Sequence, residues 1–260
     1  MNSSTALTPV QKLKDVLGAD SVKEQFRNAL ADNSALFVAS LIDIYANDQY
    51  LQKCPPQAVV MEALKAATLR LPINKSLGFA YIVPYGGEPQ MQIGYKGYIQ
   101  LAMRTGQYRY INAGTVCEGV TMAEDLLTGK VSLSGTKKSE VVVGYFAYME
   151  LLNGFTKAIY MTKEEMTAWA KRYSKSYSSK NSAWQTNFNE MGIKTVIRRL
   201  LSHYGVMSVE MAAAVTADDA DERTPEARTQ DEVNANANSE TIDITPGAGE
   251  QEKPASDPGF

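Results

Sequence analysis

Residues 78–106, GFAYIVPYGGEPQMQIGYKGYIQLAMRTG, decide the fold. Gly78–Pro84 is rich in aromatic and β-branched residues and ends at Pro84-Tyr85-Gly86-Gly87, which reads as a turn between strands. Met91–Ile93 reads as a second, short strand. Gly94-Tyr95-Lys96-Gly97 opens a helix, predicted over Tyr98–Arg104 and closed by Gly106 at a C-cap position. A helical regime therefore gives way near Leu71-Pro72 to a mixed one. The predicted class is α+β: a small antiparallel sheet packed with helices.

N-terminal to this stretch the pattern is helical. Thr8-Pro9 places proline at a first helical position. Ser21-x-x-Glu24 has capping-box spacing ahead of Phe26 and Leu30. Phe37, Leu41, Ile44 and Tyr45 recur at helical spacing after Ser34, as do Val60, Leu64, Ala67 and Leu71 after Pro55-Pro56. Residues 1–70 read as a helical lobe for packing and subunit contacts, with Lys53, Lys65 and Arg70 as surface charge.

C-terminal to it, Gln107–Cys117 predicts a strand, while 120–135, punctuated by Gly129 and Gly135, gives no clear element. Glu140–Leu151 and Phe155–Met161 flank Asn153-Gly154, a pair favoured in tight hairpin turns. Thr162-x-x-Glu165 is a second capping box, opening a helix through Trp169 to about Tyr173. Residues 71–217 form the predicted α+β core. Residues 218–260, almost without large apolar side chains, predict a disordered acidic tail.

The clearest helix is Ser182–Tyr204, SAWQTNFNEMGIKTVIRRLLSHY. On a helical wheel Ile193, Val196, Ile197 and Leu200 form a core-facing stripe. The other half holds Trp184, Phe188, Met191 and Thr195, with Asn187, Lys194, Arg198 and Arg199 beside or among them. Two readings fit. In one, this face meets a nucleic-acid backbone, with cations on phosphates and flat rings on bases or sugars. In the other, the helix is buried on both sides and Lys194 and Arg198 snorkel to water.

Charge is unevenly distributed. The net charge is −3 over 260 residues, yet residues 1–217 hold 23 Lys+Arg against 17 Asp+Glu, and residues 218–260 hold 3 against 12. A basic body with an acidic tail is a warning sign for a nucleic-acid binder. Lys157–Arg199 contains nine cations and three acids. Within it, Arg172–Ser182 carries Arg172, Lys175 and Lys180 interleaved with Tyr173 and Tyr177, and no acid. That segment is either a flexible connection or a basic loop that orders on an anionic ligand.

Much chemistry is absent from the sequence. Cys54 and Cys117 are too few for a disulfide framework, and the single His203 excludes a histidine-based metal site. There is no phosphate loop of the G-x-x-x-x-G-K-[ST] type, no dinucleotide fingerprint and no paired carboxylate set. No cofactor is expected. Neither a signal peptide nor a run of about 18 apolar residues stands out, so a cytoplasmic chain without membrane contact is expected.

Residues 71–108 closely resemble the central motif of the RecT family of phage and prophage single-strand annealing proteins. The shared pattern is strand, Pro-aromatic-Gly turn, strand, Gly-Tyr-(Lys/Arg)-Gly, then a helix ending in Arg-x-Gly. Trp184, Met191, Lys194-Thr195 and Arg198-Arg199 resemble the family's C-terminal motif. His203-Tyr204-Gly205-Val206 departs from the lysine and proline common there, so no role passes to His203. The resemblance implies an ATP-independent protein without a catalytic centre. Such a protein binds single-stranded DNA as a homo-oligomeric ring or helical filament and pairs it with a complementary strand. It works beside a partner exonuclease, here in the cytoplasm of a bacterial host.

Candidate DNA-binding residues are then Tyr95, Lys96, Arg104, Arg172, Lys175, Lys180, Trp184, Lys194, Thr195, Arg198 and Arg199. Lys96, between glycines at a helix start, can reach a phosphate beside backbone amides, and Arg104 extends the track two turns on. Tyr95 and Trp184 are stacking candidates, with core packing as their other reading. The competing functions are a single-strand-protecting module that does not anneal, a metal-dependent nuclease, and a structural oligomer that ignores DNA.

Overall fold

Proline and capping residues punctuate the N-terminal helices. The computed structural model describes residues 7–180, 182–209, 211–213 and 215. All of these belong to one compact unit, Met1–Thr224, and the expected acidic tail, 218–260, lies outside the described residues. Helix α1 (Pro9–Gly18) starts where the Thr8 hydroxyl accepts a bond from the Gln11 amide at 3.2 Å, with proline at the first position.

Helix α2 (Asp20–Leu30) follows after Ala19 alone, and the expected Ser21–Glu24 capping box does not form. The one-residue link makes Ala19 the cap, and its carbonyl takes the Val22 and Lys23 amides. A 3₁₀ turn, Ala31–Asn33, separates α2 from α3 (Ser34–Asn47). Helix α4 (Pro56–Thr68) ends with Arg70 at φ 52. There the Arg70 amide reaches Ala67 O at 2.8 Å and the Leu71 amide reaches Ala66 O at 3.0 Å, a Schellman ending without glycine.

Within Asp20–Asn47 an 18-residue window reaches a mean hydropathy of 1.3, enough by length and composition for a membrane span, where the sequence reading found none. The 3₁₀ turn breaks it into two helices. Phe26, Phe37, Leu41 and Tyr45 enter the core while Leu36 faces out.

Strands β1 (Ala80–Tyr85) and β2 (Glu88–Ile93) form a hairpin. Its turn places Gly86 and Gly87 at φ 59 and 93, as a primed two-residue turn requires. Helix α5 (Tyr95–Arg104) begins three residues earlier than predicted. Gly94 and Gly97 explain why the chain can turn so tightly. A Cβ on either would collide with the backbone carbonyl of Gly78 or Phe79, and the Gly94 amide donates to Phe79 O at 2.9 Å.

Strand β3 (Tyr108–Cys117) leads into β4 (Val120–Asp125) and β5 (Lys130–Gly135), a hairpin in the stretch that gave no clear element. Then come β6 (Val142–Leu151) and β7 (Thr156–Thr162), joined by Asn153-Gly154 as predicted. The class is α+β as expected, but the antiparallel pairing is divided into three small sheets: β1-β2, β3-β6-β7 and β4-β5. Helix α6 (Lys163–Tyr173) carries the complete Thr162–Glu165 capping box.

The predicted single helix over Ser182–Tyr204 is two: a turn, α7 (Ala183–Thr186), and α8 (Phe188–Tyr204). Asn187, at φ −140 and ψ 50, ends the first, and its side chain bonds Thr186 Oγ1 at 3.2 Å. Asparagine offers its neighbours a local alternative to helical bonding. Trp184 is therefore off the helical wheel of α8.

Helix α8 lies against the three-stranded sheet. Gly192 admits the Tyr145 ring, whose hydroxyl donates to Asn189 Oδ1 at 2.7 Å. Burial pushes that hydroxyl's pKa up to about 12. One hydrophobic cluster runs from Leu13 and Leu41 through Ile82 and Tyr98 to Val196 and Leu201, on both sides of Leu71.

Candidate nucleic-acid interface

Strand alternation builds one wall of the candidate site. In β1, Ala80 and Ile82 point to the core, which turns Tyr81, Val83 and Tyr85 to the other face. Cross-strand pairing sets Gln92 opposite Tyr81 and Gln90 opposite Val83, and Gln92 Nε2 donates to the Tyr85 hydroxyl at 3.0 Å. Tyr85, Gln90 and Gln92 line a cleft of about 90 Å³ with Lys175, Ser176, Trp184 and Met191. The β1-β2 hairpin and the basic segment after α6 thus meet over the start of α8.

Lys175 is the cation that lines this cleft, and on the segments that build or adjoin it other cations lie beside rings. Lys96, exposed on the first turn of α5, has its ammonium 6.0 Å from the Tyr95 ring. Arg172 lies over Tyr173 at 5.3 Å, and Arg198 over Trp169 at 5.9 Å. Tyr173, Trp169, Trp184, Phe188 and Tyr145 form a continuous series of ring contacts, centroids 5.3–6.2 Å apart, with Tyr177 against Trp184. The fields overlap as well. Burial raises the Tyr81 hydroxyl, Glu190 adds to that, and Lys194 opposes it; burial and Glu190 likewise raise Tyr95.

The predicted site residues divide by exposure. Lys96, Arg172, Lys175 and Lys180 are at the surface. Trp184, Lys194, Thr195 and Arg198 are only 3%, 5%, 2% and 3% exposed. The Thr195 hydroxyl is engaged with Met191 O at 2.9 Å. Of the two readings of this helix, burial on both sides describes its placement, with Lys194 and Arg198 covered by their neighbours. The reason is tertiary. The sheet takes one side of α8, while α5 and the aromatic series take the other, so long cationic stems are enclosed.

Two predicted residues lie elsewhere. Arg104 donates to Leu69 O at 2.6 Å and Arg70 O at 2.9 Å, placing its charge at the negative end of α4. Arg199 turns toward β7, its Nη1 3.8 Å from Met161 Sδ. Sequence reasoning missed Tyr81, Tyr85, Gln90 and Gln92. The period-two alternation of AYIVPY against EPQMQI is the signal that could have found them.

These features define a class: an α+β chain of small antiparallel sheets with a cleft lined by Tyr85, Trp184, Lys175 and polar side chains. Among the described residues, no three His, Cys, Asp or Glu side chains gather as a metal site. The RecT family model matches residues 35–234, which include both motif regions. The chain is 42% identical over 254 residues to the uncharacterized protein YqaK of Bacillus subtilis (strain 168), covering 95% of this chain and 86% of that one. It is 31% identical over 179 residues to Protein RecT of Escherichia coli (strain K12), 65% of each chain. The chain belongs to the RecT family, whose members act in single-strand DNA annealing during recombination.

Proposed function

We propose that this chain binds single-stranded DNA at the cleft between the β1-β2 hairpin and residues 172–180, and anneals it to a complementary strand without ATP. It does so as a homo-oligomer, in a bacterial cytoplasm, beside an exonuclease that exposes the strand. The observation that carries the reading is the convergence of two segments remote in sequence. Tyr85, Gln90 and Gln92 of the hairpin meet Lys175, Ser176 and Trp184 across one cleft, and Lys96 and Arg172 lie beside rings on the same two segments.

An annealer must hold phosphates while leaving base edges free to pair. Lys96, Arg172, Lys175 and Lys180 take the phosphates, and Tyr95 supplies a ring beside them. Lys194 and Arg198 act from beneath, adding positive potential where the medium is poor in water. Trp184 and Thr195 hold that arrangement in place. Arg104 and Arg199 act through the frame. Residues 71–217 are the DNA-binding core, and the helical lobe, 1–70, contributes subunit contacts. Residues 218–260 are dispensable, so deletion after Ala217 leaves annealing by the purified protein intact or slightly stronger.

The test is a strand-annealing assay with complementary oligonucleotides, with and without ATP. The parent accelerates joining equally in both, and Lys96→Ala/Lys175→Ala/Lys180→Ala loses most of that acceleration while keeping the parent's melting temperature. A parent that binds single strands but slows their pairing is a protective module. Magnesium-dependent loss of labelled DNA makes it a nuclease.

A further inference from the structure

Two apolar features are left uncovered among the described residues. The first is the tip of the β4-β5 hairpin, where Leu126 and Leu127 are 92% and 94% exposed. The tip is held in shape. The Leu127 and Thr128 amides donate to Asp125 Oδ1 at 2.9 and 3.3 Å, and Lys157 Nζ donates to Gly129 O at 3.3 Å. Those amide bonds also hold the Asp125 carboxyl below the usual carboxylate range. Two leucines kept in water on a fixed turn are a standing cost that burial would relieve.

The second feature is a groove of about 610 Å³ between the α2–α3 connection and residues 70–77. Leu30, Leu36, Phe37, Ile73 and Leu77 line it, and exposed Arg70 borders it. Leu36 is 71% exposed. The groove is pre-shaped, because the Arg104 guanidinium fixes the Leu69 and Arg70 carbonyls at one border.

We infer that the Leu126–Leu127 tip of one copy of this chain docks in the Leu36–Leu77 groove of the next. This rests on the homo-oligomer proposed above and names one of its contacts. Three observations select a second copy as the occupant. The knob is apolar and rigid, and the hole is apolar and pre-formed. Their borders carry opposite charges: the Asp125 carboxylate adjoins the leucines, with Lys130 across the strand pair and Lys157 on Gly129, and exposed Arg70 borders the groove. The two surfaces differ, so the contact is head-to-tail and propagates into rings or helical filaments, where a face pairing with itself would stop at a dimer. A stable interface needs on the order of 1,200 Å², so this is one anchor within a larger contact. Its two leucines each contribute about tenfold or more in association.

The test uses two full-length variants, Leu126→Glu/Leu127→Glu at the tip and Leu36→Glu in the groove. Both sites are exposed, and melting temperatures report whether each variant is folded. Sedimentation velocity with and without a single-stranded oligonucleotide reads assembly. Each variant alone assembles at least tenfold more weakly than the parent. A one-to-one mixture forms dimers and nothing longer, because only one intact knob–hole junction remains. A second measurement does not depend on those charges: Leu126→Cys mixed with Leu36→Cys forms an intermolecular disulfide under mild oxidation.

A tip variant that assembles like the parent overturns the inference and leaves the homo-oligomer standing. So does loss of assembly in the groove variant alone, which gives the groove another occupant. Absence of the cross-link in an assembled mixture also overturns it. A parent that stays monomeric with and without DNA removes the homo-oligomer and this contact together.

Discussion

The segment 172–180 and helix α8 carry the same charge on opposite terms. The segment, built from serine, tyrosine and cations, holds Arg172, Lys175 and Lys180 in water. Helix α8 packs on two sides and keeps Lys194 and Arg198 at 5% and 3% exposure. An exposed ammonium can exchange water and counterions for a phosphate with little desolvation penalty. A buried guanidinium cannot do so without local opening, and it is tied to the rings that enclose it. On the proposed reading, one region governs binding and its salt dependence, and the other governs stability and the shape of the cleft.

The largest effect expected of this division is on Arg198. Arg198→Ala removes a buried side chain lying over Trp169 and leaves space beside the ring series. The expected loss is about 3–4 kcal/mol of stability, read as a lower urea midpoint at unchanged slope. DNA affinity should fall only as far as the folded fraction and the local potential fall. If Arg198→Ala is as stable as parent and merely binds DNA less well, the division fails, and α8 belongs with the surface segment.

The frame of α8 should also respond to alkaline pH. Tyr145 is fully buried against Gly192, and its hydroxyl titrates at about 12 against an ordinary value near 10. Its folded pKa is raised, so its contribution is complete below about pH 10 and is lost as pH climbs through 12. The full loss is roughly 2–3 kcal/mol. Tyr108, bonded to Val206 O and also near 12, adds to the decline. Urea unfolding between pH 8 and 11.5 should show stability falling in the parent and falling less steeply in Tyr145→Phe. Identical slopes for the two would place the alkaline weak point outside α8.

Local signals made the fold legible. Pro-Tyr-Gly-Gly, Asn-Gly and Thr-x-x-Glu each determine a turn or a cap within a few residues, and each formed where expected. Ser21-x-x-Glu24 has the same spacing but lost to Ala19, because the short link from α1 already supplies the first-turn acceptor. The hairpin at 120–135 went unread although Val120, Met122, Val131 and Leu133 alternate with polar residues, because each run is only a few residues long and its strands are almost wholly exposed. The site was legible as a set of residue types and as a pairing of two motifs, but not as exposure. A wheel shows that Lys194 and Arg198 share a side, and cannot show that α5 and the Trp169–Trp184 rings cover it. The wheel also ran through Asn187, where the helix breaks.

A smaller expected effect tests whether the two regions share one frame. Gly97 sits where a Cβ would strike Phe79 O and the Ile93 side chain. Gly97→Ala must push α5 away from the β1-β2 hairpin, at about 1–3 kcal/mol. Because α5 also packs on α8, the shift should reach the cleft and weaken DNA binding beyond what the lost stability accounts for. Thermal melting and oligonucleotide titration at a temperature where the variant is fully folded separate the two contributions. Binding that matches the parent under those conditions shows that the cleft tolerates displacement of α5.

The smallest effect on stability, and the one that most sharpens the comparison, belongs to the surface segment. Lys175→Ala/Lys180→Ala removes two exposed cations and should leave stability within about 0.5 kcal/mol. Its signature is electrostatic. Each phosphate contact on a single strand contributes about 0.7 to the slope of log affinity against log salt. Losing two should flatten that slope by roughly 1.4, uniformly across sequences because no base edge is read. The measurement is fluorescence anisotropy with oligonucleotides of two unrelated sequences over a range of salt. A slope unchanged from the parent would remove Lys175 and Lys180 from the interface, even if affinity fell. A flattened slope in Lys194→Ala, measured where it is folded, would show that DNA binding opens the cover over α8 and brings the buried cations to the strand.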